Sequence, residues 1–103
     1  MEDAAEGILL AAEHYEGSPP VNLGTGEEVT IRNLATMIAT EAGFTGQIVW
    51  DTTKPNGQPR RCLDVSRAKQ LFGFQAKHTL REGLKKTMQW FFANRQNLRQ
   101  ITF

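Results

Sequence analysis

Cysteine is almost missing from this 103-residue chain. Cys62 is alone, so no intrachain disulfide can form and no zinc site can be built from thiolates. A reducing, cytoplasmic setting is the expectation that follows. Long apolar runs are also missing. The run Ile8-Leu9-Leu10 is too short for a membrane span and follows Glu2, Asp3 and Glu6, the wrong charge for a secretion signal. Glycine and proline are modest, at 9 and 4 residues, and no repeat or low-complexity tract occurs, which excludes collagen-like, linker-like and solenoid architectures. No Gly-x-Gly-x-x-Gly, phosphate-binding Gly-x-x-x-x-Gly-Lys-Ser/Thr or Gly-x-Ser-x-Gly element is found, and His14 and His78 have no ligand partner at metal spacing. The chain therefore holds no complete catalytic set, no cofactor motif and no metal site of its own.

Basic side chains are nearly absent from the first half. Residues 1–53 hold Arg32 against nine acids, a net −8, and residues 54–103 hold eleven bases against Asp64 and Glu82, a net +9; together these give the +1 of the whole. Such a split points the second half at something anionic, or else the basic half neutralises the acidic one. With 40% hydrophobic and 22% charged residues the composition is that of an ordinary globular domain, and a single domain over 1–103 is expected.

Ala5, Ile8, Leu9 and Ala12 recur at helical spacing between residues 3 and about 15, with Gly17-Ser18-Pro19-Pro20 as the stop. Val21-Asn22-Leu23 reads as a short strand leading into Gly24-Thr25-Gly26. Thr30 is a good N-cap for a second helix with Ile31, Leu34, Ala35, Ile38 and Ala42 on one face and Gly43 at its end. Gln47 to Asp51 is an apolar, β-branched segment that reads as a second strand. Strand, helix, strand predicts a βαβ unit with parallel strands and a right-handed crossover. Asp64 or Ser66 caps a brief helix ending at Gly73. Thr79-Leu80-Arg81-Glu82 is a capping box for a last helix, with Leu80, Leu84, Thr87, Met88 and Phe91 on one face, that runs into the mid-90s. The expected fold class is α/β, a small lobe with short parallel strands and three to four helices.

The segment between the second strand and the third helix carries the chemistry. Lys54, Arg60 and Arg61 sit on a loop stiffened by Pro55 and Pro59, with Asn56-Gly57 suited to a tight turn. An arginine fork suits a diphosphate, a lysine supplies a point charge, and Asn56 can read a base or sugar edge. The simpler alternative is a solvated basic loop around a structural turn. The later basic run, Lys77, Arg81, Lys85, Lys86, Arg95 and Arg99 with Trp90 nearby, suits a nucleic acid, or more simply a solvated face with the aromatics in the core.

Residues Val49-Trp50-Asp51-Thr52-Thr53-Lys54-Pro55-Asn56-Gly57-Gln58-Pro59-Arg60-Arg61, followed by Leu63-Asp64-Val65-Ser66-Arg67, resemble the C-terminal region of the GDP-L-fucose synthases. These are extended short-chain dehydrogenase/reductases of the NAD-dependent epimerase/dehydratase family. Val21-Asn22-Leu23-Gly24-Thr25-Gly26 with Ile31-x-x-Leu34-Ala35, and Leu80-x-x-Gly83-Leu84 with Gln89-Trp90-Phe91, resemble flanking parts of the same region. The resemblance covers nearly all of the chain and about the last third of a family member.

It implies the C-terminal, nucleotide-sugar-binding lobe of that fold without its Rossmann domain. The implied activity is epimerisation and NADPH-dependent reduction of GDP-4-keto-6-deoxy-mannose to GDP-L-fucose. NADP(H) belongs to the parent family. The cofactor glycines and the reductase Ser, Tyr and Lys are not matched: the only tyrosine, Tyr15, has Pro19 where Tyr-x-x-x-Lys needs its lysine. Met1-Glu2-Asp3-Ala4-Ala5 resembles an internal stretch of the family, so the expectation is a fragment without catalysis by itself. The implied substrate contacts are Lys54, Asn56, Arg60 and Arg61. Asn56 stands where the family has Asp, which exchanges an ionic contact for a neutral one. A different class of function is a free-standing basic module binding RNA or an acidic protein. A third is self-association through an apolar face that a missing domain covers.

Overall fold

The protein is described by a computed structural model over residues 1–98. Its regular elements are α1 (Glu2–His14), α2 (Ile31–Ala42), α3 (Ser66–Phe72) and α4 (Leu80–Asn94), followed by one 3₁₀ turn (Arg95–Asn97). The chain divides into two units. The first comprises Met1–Glu28 and Ile48–Thr79, and the second comprises Val29–Gln47 and the residues from Leu80 onward.

In the first unit α1 pairs with α3. Glu2 and Asp3 lie in the first turn of α1, where the helix presents its positive end. Its inward face is Asp3, Glu6, Gly7, Leu10 and Ala11, whereas Ile8 and Leu9 of the expected stripe are 62% and 65% exposed. Helical spacing fits either face, and Gly7 decides between them. A Cβ there would lie 2.8 Å from Leu23 Cδ1 and 3.2 Å from Phe74 Cε2, so only a residue without a side chain lets these two groups reach the helix backbone.

The core of this unit is Ala68, Phe72 and Phe74, with Leu10, Ala11, Tyr15, Val21, Leu23 and Ala76 packed against it. The ring of Tyr15 is tilted against Phe72 at 6.1 Å. Asp64 accepts the Ser66 N–H at 2.9 Å from one residue before the N-cap of α3, which is Val65 rather than the expected Asp64 or Ser66. Gly73 closes it in the left-handed conformation, φ +68°. The N–H of Phe74 then reaches the Ala68 carbonyl at 3.2 Å, and this wrap carries the Phe74 ring back to the core.

In the second unit α2 pairs with α4. Thr30 Oγ1 accepts the Asn33 N–H at 3.1 Å and Gly43 closes α2 at φ +67°, both at the expected positions. Among the described residues of this unit none is buried. Leu34, Ala35, Met37 and Ala39 of α2 and Leu80, Leu84 and Met88 of α4 are half-buried, while Ile31 and Trp90 are exposed.

The α/β expectation is overturned: no strand or sheet is present among the described residues, and the helices make up the regular structure. Val21 and Leu23 are extended and apolar, but they spend their side chains on the helical core. The described contact from Asn22 to the neighbouring segment is a single side-chain hydrogen bond, Nδ2 to the Asp64 carbonyl at 3.4 Å, and no backbone ladder forms. Val49 is 78% exposed. A strand needs a partner for its N–H and C=O groups, and β-propensity reports fit to a pleated surface that is missing here. The expected crossover helix, α2, pairs with α4 instead.

Candidate functional site

The residues preceding the basic loop form a local turn. Asp51 Oδ1 accepts the Thr53 N–H at 3.0 Å and the Thr53 hydroxyl at 2.6 Å, and Lys54 N–H reaches the Asp51 carbonyl at 3.4 Å. These bonds, the hydroxyl's first, hold the Asp51 carboxyl below its usual range. With no strand before it, the loop owes its position to this turn rather than to the end of a parallel sheet.

Every residue from Lys54 to Arg61 is exposed. Arg60 is the one whose side chain is fixed. Its Nε and Nη2 donate to the two carboxylate oxygens of Glu28 at 2.5 and 2.8 Å, a bidentate fork. The fork holds the Glu28 carboxyl below its ordinary value and raises the guanidinium further. Arg60 also lines an open groove of about 380 Å³ together with Cys62, Leu63 and Asp64. The Cys62 Sγ lies 3.7 Å from the Gly26 carbonyl. Asp64 is kept ionised by the Ser66 N–H. Among the described residues the side chains of Lys54, Asn56 and Arg61 make no hydrogen bond or ion pair. Of the four expected contacts Arg60 lines the groove, whereas Lys54, Asn56 and Arg61 are exposed on the loop and do not line it.

Glu28 is the residue that sequence reasoning missed, and the charge split was the available signal. The acidic half pairs with the basic half through Arg60 with Glu28 and Lys77 Nζ with Glu6 at 2.8 Å, and the His78 ring nitrogens lie 2.8 Å from Asp3 and 3.4 Å from Glu2. Asp3 Oδ2 also accepts the backbone N–H groups of Lys77 and His78 at 3.0 and 2.9 Å. Of the later basic run, Arg95 sits 5.9 Å over the Phe92 ring, and Trp90, Phe91 and Phe92 are exposed rather than core residues. Arg99 lies outside the described residues.

A bound dinucleotide finds no cradle in these residues. The Gly24-Thr25-Gly26 turn is packed against the third helix's entry, where a Cβ on Gly24 or Gly26 would meet Val65 at 3.4 or 3.3 Å, and two carboxylates, Glu27 and Glu28, follow it. The described residues do not fit NADP(H).

Comparison with known proteins adds what the geometry leaves open. The chain is 40% identical over 94 residues to GDP-L-fucose synthase 1 of Arabidopsis thaliana, covering 91% of this chain and 29% of that protein. It is 46% identical over 79 residues to GDP-L-fucose synthase of Escherichia coli (strain K12), covering 77% and 24%. These residues are the counterpart of a C-terminal region of the GDP-L-fucose synthases. The similarity extends to GDP-L-colitose synthase of Yersinia pseudotuberculosis, 32% identical over 97 residues, 93% of this chain and 31% of that one. The chain thus spans less than a third of the length of these GDP-L-fucose synthase relatives. No protein-family model and no solved structure matches it. No helix among the described residues is long and apolar enough to cross a membrane.

Proposed function

We propose that this chain is the nucleotide-sugar recognition region of a GDP-L-fucose synthase-like epimerase/reductase, which converts GDP-4-keto-6-deoxy-mannose to GDP-L-fucose. Lys54, Asn56, Arg60 and Arg61 are its substrate contacts. The observation that carries this reading is the exposed loop on which Lys54 and Arg61 have no partner among the described residues, while Arg60 is held by Glu28 and lines the groove. Two unpaired cations and a guanidinium suit a diphosphate, whose oxygens accept charge-assisted hydrogen bonds. Asn56 offers the neutral polar contact. The names of the matched relatives supply GDP as the nucleotide. Catalysis and NADP(H) are assigned elsewhere, since this chain has neither the Tyr-x-x-x-Lys pair nor a glycine-rich fingerprint.

An amide-resolved NMR titration with GDP, with UDP and a short RNA as controls, tests this at two salt concentrations. GDP-selective shifts are expected over residues 54–61, and Lys54→Ala or Arg60→Ala should weaken GDP binding about tenfold. An equal response to all three anions that disappears at high salt would instead mark a generic basic surface.

A further inference from the structure

We infer that Glu28 is a positioning residue for Arg60, holding the guanidinium so that its free edge is offered to an anionic ligand in the groove. The inference rests on the proposed role of Arg60 in diphosphate recognition and adds a residue that the basic loop does not contain. A guanidinium has five N–H donors in a rigid fork. Glu28 engages two, through Nε and Nη2. Nη1 and the second N–H of Nη2 remain, and they lie together on the other edge of the plane, the spacing that two phosphate oxygens can bridge.

An arginine on a 75% exposed side chain otherwise samples many rotamers, all but one of which must be given up on binding. Ordering one such side chain in advance improves affinity by about two- to tenfold. Glu28 is suited to this because it is set apart from the loop. It lies 32 residues earlier in the chain, just after the Gly26 turn that is packed on Val65, so it anchors Arg60 to a different segment of the same unit. The opposite role is a gate, in which the Glu28 carboxylate occupies the fork as a phosphate would and must leave first. Only the side edge of the guanidinium is covered, so a ligand on the other edge has no need to displace it.

GDP affinity of the full chain decides between the two. Glu28→Ala and Glu28→Gln are both expected to weaken GDP binding two- to tenfold, since glutamine presents one acceptor and turns an N–H₂ toward the second donor. Glu28→Asp keeps the charge without the reach and should resemble them. In ¹⁵N spectra of the free protein the Arg60 Nε–H resonance should shift and exchange faster in each variant, a change that a merely structural effect on the loop would not produce. Tighter GDP binding by Glu28→Gln would overturn positioning in favour of a gate. Unchanged affinity in all three variants, with Arg60→Ala still weakening binding, would overturn the role of Glu28 and leave the recognition reading standing. If Arg60→Ala has no effect either, the diphosphate reading of Arg60 fails with it.

Discussion

Asp3 makes three hydrogen-bonding contacts to Lys77 and His78, although it sits at the start of the sequence. It accepts the N–H groups of Lys77 and His78 and faces the His78 ring, tying the first turn of α1 to residues 74 and 75 positions away. The His78 N–H, then the His78 ring, hold its carboxyl below the usual aspartate range. A carboxylate whose value falls on folding contributes stability above its unfolded pKa and loses it as pH drops through the folded one. Thermal unfolding followed by circular dichroism should therefore show the melting temperature falling as pH goes from about 5 to about 3. Asp3→Asn should melt lower at pH 7 and respond less to acid over that window. Glu28, Asp51 and Asp64 are lowered too and will keep part of the response. An acid profile identical in wild type and Asp3→Asn would show that these bonds contribute nothing to folding.

Helix ends were legible in the sequence and helix faces only in part: Leu34 and Ala35 of α2 and Leu80, Leu84 and Met88 of α4 are half-buried on the expected faces, whereas α1 turns its other side inward. Thr30, Gly43 and Gly73 act through bonds to their own neighbours, so their roles depend on local sequence alone. The two expected strands depended on partners that the chain does not supply, and pairing is a non-local property. The face of α1 depended on Gly7, which a hydrophobicity pattern scores as neutral but which packing treats as a place for Leu23 and Phe74. The candidate loop was readable from its prolines and cations, whereas Glu28 was hidden because nothing in its own surroundings marks it. The face assignment has a direct measure in chemical denaturation. Ile8→Ser and Leu9→Ser, on the exposed side, should change stability by no more than about 0.5 kcal/mol. Leu10→Ala, half-buried against the core, should cost about 1–2 kcal/mol, less than a fully buried leucine because solvent already reaches it. A reversal of that order would return the inner face to Ile8 and Leu9.

The described residues bury three apolar side chains and leave sixteen large ones exposed, among them Ile8, Leu9, Ile31, Trp90, Phe91 and Phe92. A chain of this length ordinarily hides roughly 60–70% of the surface its unfolded form exposes. Charge does little to make up the difference, because Arg60–Glu28 and Lys77–Glu6 are surface pairs and such pairs contribute little. The helices are paired, yet much of their apolar surface faces water, and exposed apolar surface of that kind binds hydrophobic dyes. At neutral pH the chain should show helical far-ultraviolet circular dichroism and, together with it, enhanced fluorescence of anilinonaphthalene sulfonate. Replacing Trp90 and Phe92 by serine should reduce that fluorescence while leaving the helical signal, since neither side chain is part of the buried core. A dark dye with full helicity would mean that these side chains are covered in solution by another protein surface, and sedimentation at the same concentration would show whether that surface belongs to a second copy.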